Sequence, residues 1–238
     1  MTQAVAFSGG KDSTAMTLLL AERGEDFVLL FTPTGNELPA LRAHVEGIAA
    51  RVDRMLVMPP NRPLAFWIDH YGALPNWRQR WCTRAIKIQP CIDWLQLHPG
   101  VTLCIGLRAD EDTRTGLYGD YAAYRYPLRE AGWHEADVWR YLAARDIRIP
   151  PRTDCAACFY QRLSEWWELW KEHPDAYAQA EAWEAQTGHT FRSPGRDTWP
   201  ASLTALRARF EAGDVPRDVD LNFSLFDDTP TLCRVCSL

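Results

Sequence analysis

The strongest constraint on this chain lies near its start, where Ser8-Gly9-Gly10-Lys11-Asp12-Ser13 follows a short apolar run, Ala4 to Phe7, and precedes a helical run, Thr14 to Arg23. The order is strand, glycine turn, helix. Two adjacent glycines allow a tight turn and let the backbone approach a ligand with no Cβ in the way, and the N–H groups that open the helix point back into the turn. Such a turn suits an anion. Lys11 adds positive charge, and Ser8 and Ser13 add hydroxyls suited to phosphate oxygens. Asp12 can face a phosphate only if a metal ion such as Mg²⁺ lies between them, or if it caps the helix instead. The spacing is not that of the Walker loop.

The 238 residues accommodate one sizeable α/β domain and a smaller appendage. Phe27 to Thr32 reads as a second strand, ending in the turn Pro33-Thr34-Gly35-Asn36-Glu37. Pro39 to Arg51 reads as a helix, Arg54 to Met58 as a strand, Pro90 to Leu97 as a helix and Val101 to Gly106 as a strand. Strands alternating with helices predict a doubly wound parallel α/β sheet over residues 1–150, with ligands at the carboxyl ends of the strands. Thr34, Asn36 and Glu37 are therefore expected to face the same crevice as the glycine turn. Glu37 either holds Mg²⁺ or a ribose hydroxyl, or is a solvated turn carboxylate. Arg108 and Arg114, flanking three carboxylates just past a strand end, are placed for an anion. Pro59 to Trp81 breaks the periodicity and reads as a long loop over the crevice. Within it Arg78 and Arg80, set between tryptophans, either meet phosphates and bases or sit in solvent while the aromatics pack the loop down.

Residues 151–238 read as a helical, tryptophan-rich C-terminal region with two Cys-x-x-Cys pairs, Cys155 with Cys158 and Cys233 with Cys236. The chain shows no long apolar run and no basic, apolar leader, so no membrane role and a cytoplasmic location are expected. In a reducing compartment seven cysteines are free, metal-bound or catalytic before they are structural disulfides. Three arrangements fit the spacing. One is a 4Fe-4S cluster on Cys155, Cys158 and two of Cys82, Cys233 and Cys236; another is Zn²⁺ on the two pairs; the last is redox-active thiols without metal. Cys91 and Cys104 lie in apolar text and read as core thiols, and the six histidines are scattered without ligand spacing. A net charge of −5 argues against a generic nucleic-acid coat and leaves room for a local basic patch.

Several motifs in order carry a resemblance. They are the Ser8–Ser13 loop, Gly35-Asn36-Glu37, Cys82-Thr83 with Lys87-Ile88, Gly106-Leu107-Arg108 with Glu111 and Arg114, and Pro127-Leu128 followed by Trp133, Asp137-Val138-Trp139 and Tyr141-Leu142. Together they resemble the phosphoadenylylsulfate (PAPS) reductase family of the PP-loop, adenine-nucleotide α-hydrolase superfamily, in a divergent branch like those of phages and mobile elements. The resemblance runs from Val5 to about Cys158. It implies that Ser8, Gly9, Gly10, Lys11, Asp12 and Ser13 hold nucleotide phosphates, and that Lys87, Arg108 and Arg114 contact the anionic group of the substrate. The Glu-Cys-Gly-x-His motif of sulfite-forming members is absent, and Trp81-Cys82 stands where cluster-bearing sulfonucleotide reductases carry Cys-Cys. The resemblance thus implies an enzyme that binds ATP or an adenylyl nucleotide and adenylates an acceptor for sulfur transfer. Lys11, Asp12 and Cys82 would carry the chemistry, and the family tilts the metal towards iron–sulfur. Cys82 would be a thiol whose pKa Lys87 and nearby arginines lower. A nucleic-acid or nucleobase acceptor and a sulfur- or electron-donor protein are the implied partners. A sulfonucleotide reductase and a non-catalytic nucleotide-binding module with structural zinc are the alternatives.

Overall fold

The computed structural model describes residues 3–116, 118–217 and 219. Five parallel strands, β1 (Gln3–Ala6), β2 (Val28–Leu30), β3 (Leu56–Val57), β4 (Thr102–Cys104) and β5 (Ala123–Arg125), form one sheet in the order β3-β2-β1-β4-β5. Helices α1 (Lys11–Glu22), α2 (Pro39–Val52), α3 (Leu64–Tyr71), α4 (Gln89–Leu97), α5 (Pro127–Glu130) and α6 (Glu135–Ala143) accompany it. The strands read as continuous apolar runs because both faces of the sheet are covered. Val5, Phe7, Leu29, Phe31 and Cys104 pack into the cluster that holds α1, α2 and Val138 and Leu142 of α6. Their neighbours Ala4, Val28, Leu30 and Leu103 pack against Cys91, Trp94 and Leu95 of α4 on the other face. The order of the strands reverses between β1 and β4, and that switch point opens the crevice.

The doubly wound fold is the expected one, with two departures. β5 is a three-residue edge strand, Ala-Tyr-Arg, too short and too polar to stand out; it is tied in by Arg125, which donates to Gln3 Oε1 (2.7 Å) and Glu25 Oε2 (2.6 Å). Residues 59–81 are not simply a loop over the crevice. Pro63 precedes α3, whose Leu64 and Ile68 are buried, and this segment joins the core of the C-terminal helices α7 (Leu163–Glu172), α8 (Pro174–Thr187) and α9 (Leu203–Glu211). Leu38, Leu64, Ile68, Leu74 and Ile86 pack there with Trp166, Leu169, Tyr177 and Phe210.

A π-helical turn, Thr83–Ile88, leads into α4. Pro90 has no N–H to donate to the carbonyl four residues back, which favours a widened turn, and the carbonyl of Ile86 instead accepts from Asn61 Nδ2 at 3.2 Å. The same amide donates to Pro33 O at 2.6 Å, fastening the turn after β2 to this segment.

On α2, His44 Nε2 lies 3.2 Å from Thr14 Oγ1 of α1, and burial pushes its pKa down to about 4. A base whose folded pKa is depressed stabilises the fold fully above its unfolded value near 6.5 and loses that contribution as pH falls towards 4. The expected loss is on the order of 2–3 kcal/mol. Urea unfolding at pH 7 and pH 4.5 should show His44→Gln losing less stability than wild type over this interval. Parallel losses would assign the titration to other groups.

Candidate active site

The phosphate loop joins β1 to α1 as its spacing predicts. Gly9 takes φ +76°, and Gly10 is the N-cap residue of α1, whose side of the turn needs no side-chain cap. The loop's hydroxyls first hold its own shape: Ser13 Oγ donates to Gly10 O (3.0 Å) and lies 3.1 Å from Ser8 Oγ, which accepts from Gly10 N (3.3 Å). Asp12 is not a cap. Gly106, two residues past β4, lets the chain leaving that strand lie against the loop, since a Cβ there would stand 3.2 Å from the backbone of Asp12 and Ser13.

The loop forms one wall of a cleft of about 410 Å³ at the carboxyl ends of β1, β2 and β4, which Lys11, Asp12, Glu37, Lys87, Arg108 and Arg114 all line. Lys11 is buried, with Nζ 3.1 Å from Asp12 Oδ2 and 3.3 Å from Glu135 Oε1 at the start of α6. Arg108, also buried, reaches the same Asp12 oxygen at 2.9 Å, Asp110 at 3.0 Å and Glu111 at 3.6 Å, while Arg114 pairs with Glu111. Burial works against the Arg108 charge, but Asp110, Asp12 and Glu111 outweigh it and its pKa lies above the ordinary arginine value. Burial raises the Asp12 pKa, and Lys11 and Arg108 only partly offset that. Its second oxygen, Oδ1, is buried without a hydrogen-bond partner among the described residues. An orphaned carboxylate oxygen beside a phosphate loop fits a hard cation such as Mg²⁺.

The turn after β2 does something its sequence did not announce. Glu37 accepts from Thr34 N, Thr34 Oγ1 and Gly35 N, closing the turn on itself while still lining the cleft. Asn36 turns away from the cleft: its Nδ2 donates to Ala157 O (3.2 Å) and its carbonyl accepts from Ala156 N (2.7 Å). Thr34 Oγ1 lies 3.5 Å from Cys155 Sγ. The expectation that Thr34, Asn36 and Glu37 all face the nucleotide is thereby corrected for Asn36, whose place is to clamp the Cys155–Cys158 loop, and for Thr34, whose hydroxyl is taken up by Glu37 beside Cys155 and which does not line the cleft. Arg152, buried, braces that loop from the other side by donating to Cys155 O (2.9 Å) and Ala156 O (3.3 Å), and Gln161 accepts from Cys158 N (2.9 Å). Arg152, Gln161 and Glu135 are site residues that sequence reading missed. The only signals were Arg152 and Gln161 standing within three residues of the cysteine pair, and Glu135 opening a helix.

Cys82, Cys155 and Cys158 border a second, narrow cavity of about 30 Å³, together with Thr34, Arg80 and Lys87. Burial raises the Cys82 pKa, and Lys87, Thr83 and Arg80 do not reverse it. The expected lowering is therefore corrected: an arginine-rich neighbourhood does not make a thiolate where desolvation is larger. Burial pushes Cys155 up to about 11, and Cys158 well above the ordinary thiol value. Cys91 and Cys104 are core thiols, both pushed up to about 12 by burial. The second pair, Cys233 and Cys236, lies outside the described residues. Three thiols border one cavity, and a thiophilic metal bound there would reverse their raised pKa values. Among the described residues no group of three or more His, Cys, Asp or Glu is placed to hold a metal ion. At about 30 Å³ the cavity would have to widen for a four-iron cube. No helix among the described residues is long and apolar enough to cross a membrane.

Residues 2–118 match the family model described as the phosphoadenosine phosphosulfate reductase domain. An uncharacterized protein of Methanocaldococcus jannaschii is 27% identical over 150 residues, covering 60% of this chain and 36% of that protein, so the chain spans little more than a third of that relative's length. Two solved structures are similar. A PAPS reductase of Candida auris in its phosphate complex has a TM-score of 0.48 and 14% identity, over 62% of this chain and 73% of that one. The U34-tRNA thiolase NcsA of Methanococcus maripaludis, with its 4Fe-4S cluster, has a TM-score of 0.48 and 15% identity, over 100% of this chain and 80% of that one. The family match starts one residue before β1 and takes in the phosphate loop, the turn after β2 and the arginines beyond β4, and over those residues the chain carries a domain of the phosphoadenosine phosphosulfate reductase type.

Proposed function

We propose that the chain binds ATP with Mg²⁺ in the switch-point cleft, transfers AMP to an oxygen of an acceptor with release of pyrophosphate, and completes a sulfur transfer beside the adjoining thiols. The observation that carries this reading is a shared wall. Thr83, Lys87 and Cys155 line both the 410 Å³ cleft and the thiol cavity, so activation and sulfur delivery can act on one bound acceptor.

The acceptor oxygen attacks the α-phosphorus, the bond to the bridging oxygen breaks, and pyrophosphate leaves with the electron pair. The N–H groups opening α1 and the Lys11 ammonium stabilise charge as it builds on the phosphates. Arg108 holds Asp12 through Oδ2 and leaves Oδ1 for the cation. Hydrosulfide then attacks the activated carbon, and the C–O bond breaks as AMP departs with the electron pair, the sulfur staying at the sulfide level. Cys82, Cys155 and Cys158 are the residues that would hold a 4Fe-4S cluster once their cavity widened, and the cluster would supply a binding point for inorganic sulfide; a Zn²⁺ ion there would serve only as a clasp.

Metal and sulfide content of protein purified without oxygen tests this. The expected result is about four iron and four sulfide per chain, lost in Cys155→Ala. About one zinc and no iron would make the cysteines a structural clasp and return the chemistry to the phosphate loop alone. Sulfite release from an adenylylsulfate with thioredoxin, and no pyrophosphate from ATP, would instead establish a sulfonucleotide reductase.

A further inference from the structure

Residues 59–88 concentrate positive charge that the rest of the chain lacks: Arg62, Arg78, Arg80, Arg84 and Lys87 stand against Asp69 alone, in a protein of net charge −5. Asp69 is itself engaged by Gln186 at 2.6 Å. The same segment leaves large rings in solvent, with Phe66 40%, Tyr71 47% and Trp77 59% exposed. Exposed aromatics of this size on a soluble face call for an occupant.

The rings form a ladder. Phe66 meets Trp67 edge-on at 5.4 Å and lies parallel to His70 at 6.1 Å, Trp67 stacks on Tyr71 at 5.5 Å, and Tyr71 reaches Trp81 at 5.1 Å. Guanidiniums sit on the ring faces: Arg62 over Phe66 at 5.1 Å and Arg78 over Trp77 at 4.6 Å. Trp81 is followed at once by Cys82, which with Arg80 lines the thiol cavity. The ladder therefore leads to the thiols and, through Lys87, to the nucleotide cleft.

We infer that this strip, from Arg62 and Phe66 along α3 to Trp77, Arg78 and Arg84, binds single-stranded nucleic acid and presents it to the cleft. Ring and guanidinium recur along the strip as base and phosphate recur along a strand, and this complementarity selects nucleic acid over a protein partner. A duplex hides the base faces that the rings would stack on. The overall negative charge confines phosphate contacts to this strip and disfavours a nonspecific coat. Binding by the strip stands by itself; that the bound strand is also the acceptor rests on the adenylation reading above.

Fluorescence anisotropy on the full chain, with labelled oligo(U), oligo(dT) and a mixed-sequence duplex and with no nucleotide present, tests the strip independently of ATP chemistry. Single strands are expected to bind at least about tenfold tighter than duplex, and Phe66→Ala with Trp77→Ala to weaken them roughly tenfold or more at an unchanged melting temperature. Arg78→Gln with Arg84→Gln should reduce the slope of log Kd against log salt by about one to two. Preference for oligo(U) or oligo(dT) identifies RNA or DNA. Duplex bound as tightly as single strand, or both variants binding like wild type, overturns the inference. No binding by any of them overturns it too, and leaves the strip as a protein-docking surface.

Discussion

Lys11→Ala is expected to lower ATP turnover by about two to three orders of magnitude while the protein stays folded. Lys11 is 6% exposed at the mouth of the phosphate loop, so its ammonium acts in a partly desolvated site where charge–charge terms are larger than in water. The fold should survive because the neighbouring carboxylate is not orphaned: Asp12 keeps Arg108 at 2.9 Å, and Glu135 is 42% exposed and can turn to water. Pyrophosphate release and near-ultraviolet circular dichroism, measured side by side, check both halves of the expectation. Wild-type turnover in a folded variant would place the phosphates elsewhere and remove the basis for the proposed activity.

Gly9→Ala should cost about 2–4 kcal/mol of folding stability, from two separate causes. At φ +76° any Cβ is strained, and here it would also stand 2.6 Å from Leu41 Cδ1 and 2.9 Å from Val45 Cγ2, atoms of the α2 face that covers the loop. Gly24→Ala separates the two, since Gly24 has φ +70° with nothing within 4 Å of the added methyl. It should lose only the strain part, about 1 kcal/mol. Equal losses in urea unfolding would mean that α2 yields freely and that the loop is not held from above.

What could be read in advance follows from where the information sits. The phosphate loop, the first helix and the alternation of strands are local signals, and the structure places them as expected. β5 escaped because an edge strand of three residues is held by its ladder and by Arg125, not by an apolar run. α3 was obscured by the prolines around it, although Pro63 is an ordinary way to enter a helix. Asn36 and Cys82 were misread for a different reason. The partner of Asn36 stands 121 residues away, and the thiol's environment is set by burial that no spacing encodes. The convergence of Cys82 with Cys155 and Cys158 was foreseen as one of several options, and only the packing of the helices on residues 59–88 brings them to one cavity.

That packing has a chronology. Leu64, Ile68, Leu74 and Ile86 emerge from the ribosome roughly a hundred residues before Trp166, Tyr177 and Phe210, the side chains that cover them. For that interval the sheet can already be complete while an apolar flank stands uncovered, the state in which nascent chains recruit chaperones or aggregate. The stretch 2–118 that matches the family model is consequently not a unit that can be cut out at its own borders, and yield in a heterologous host will depend on the far end of the chain being translated promptly.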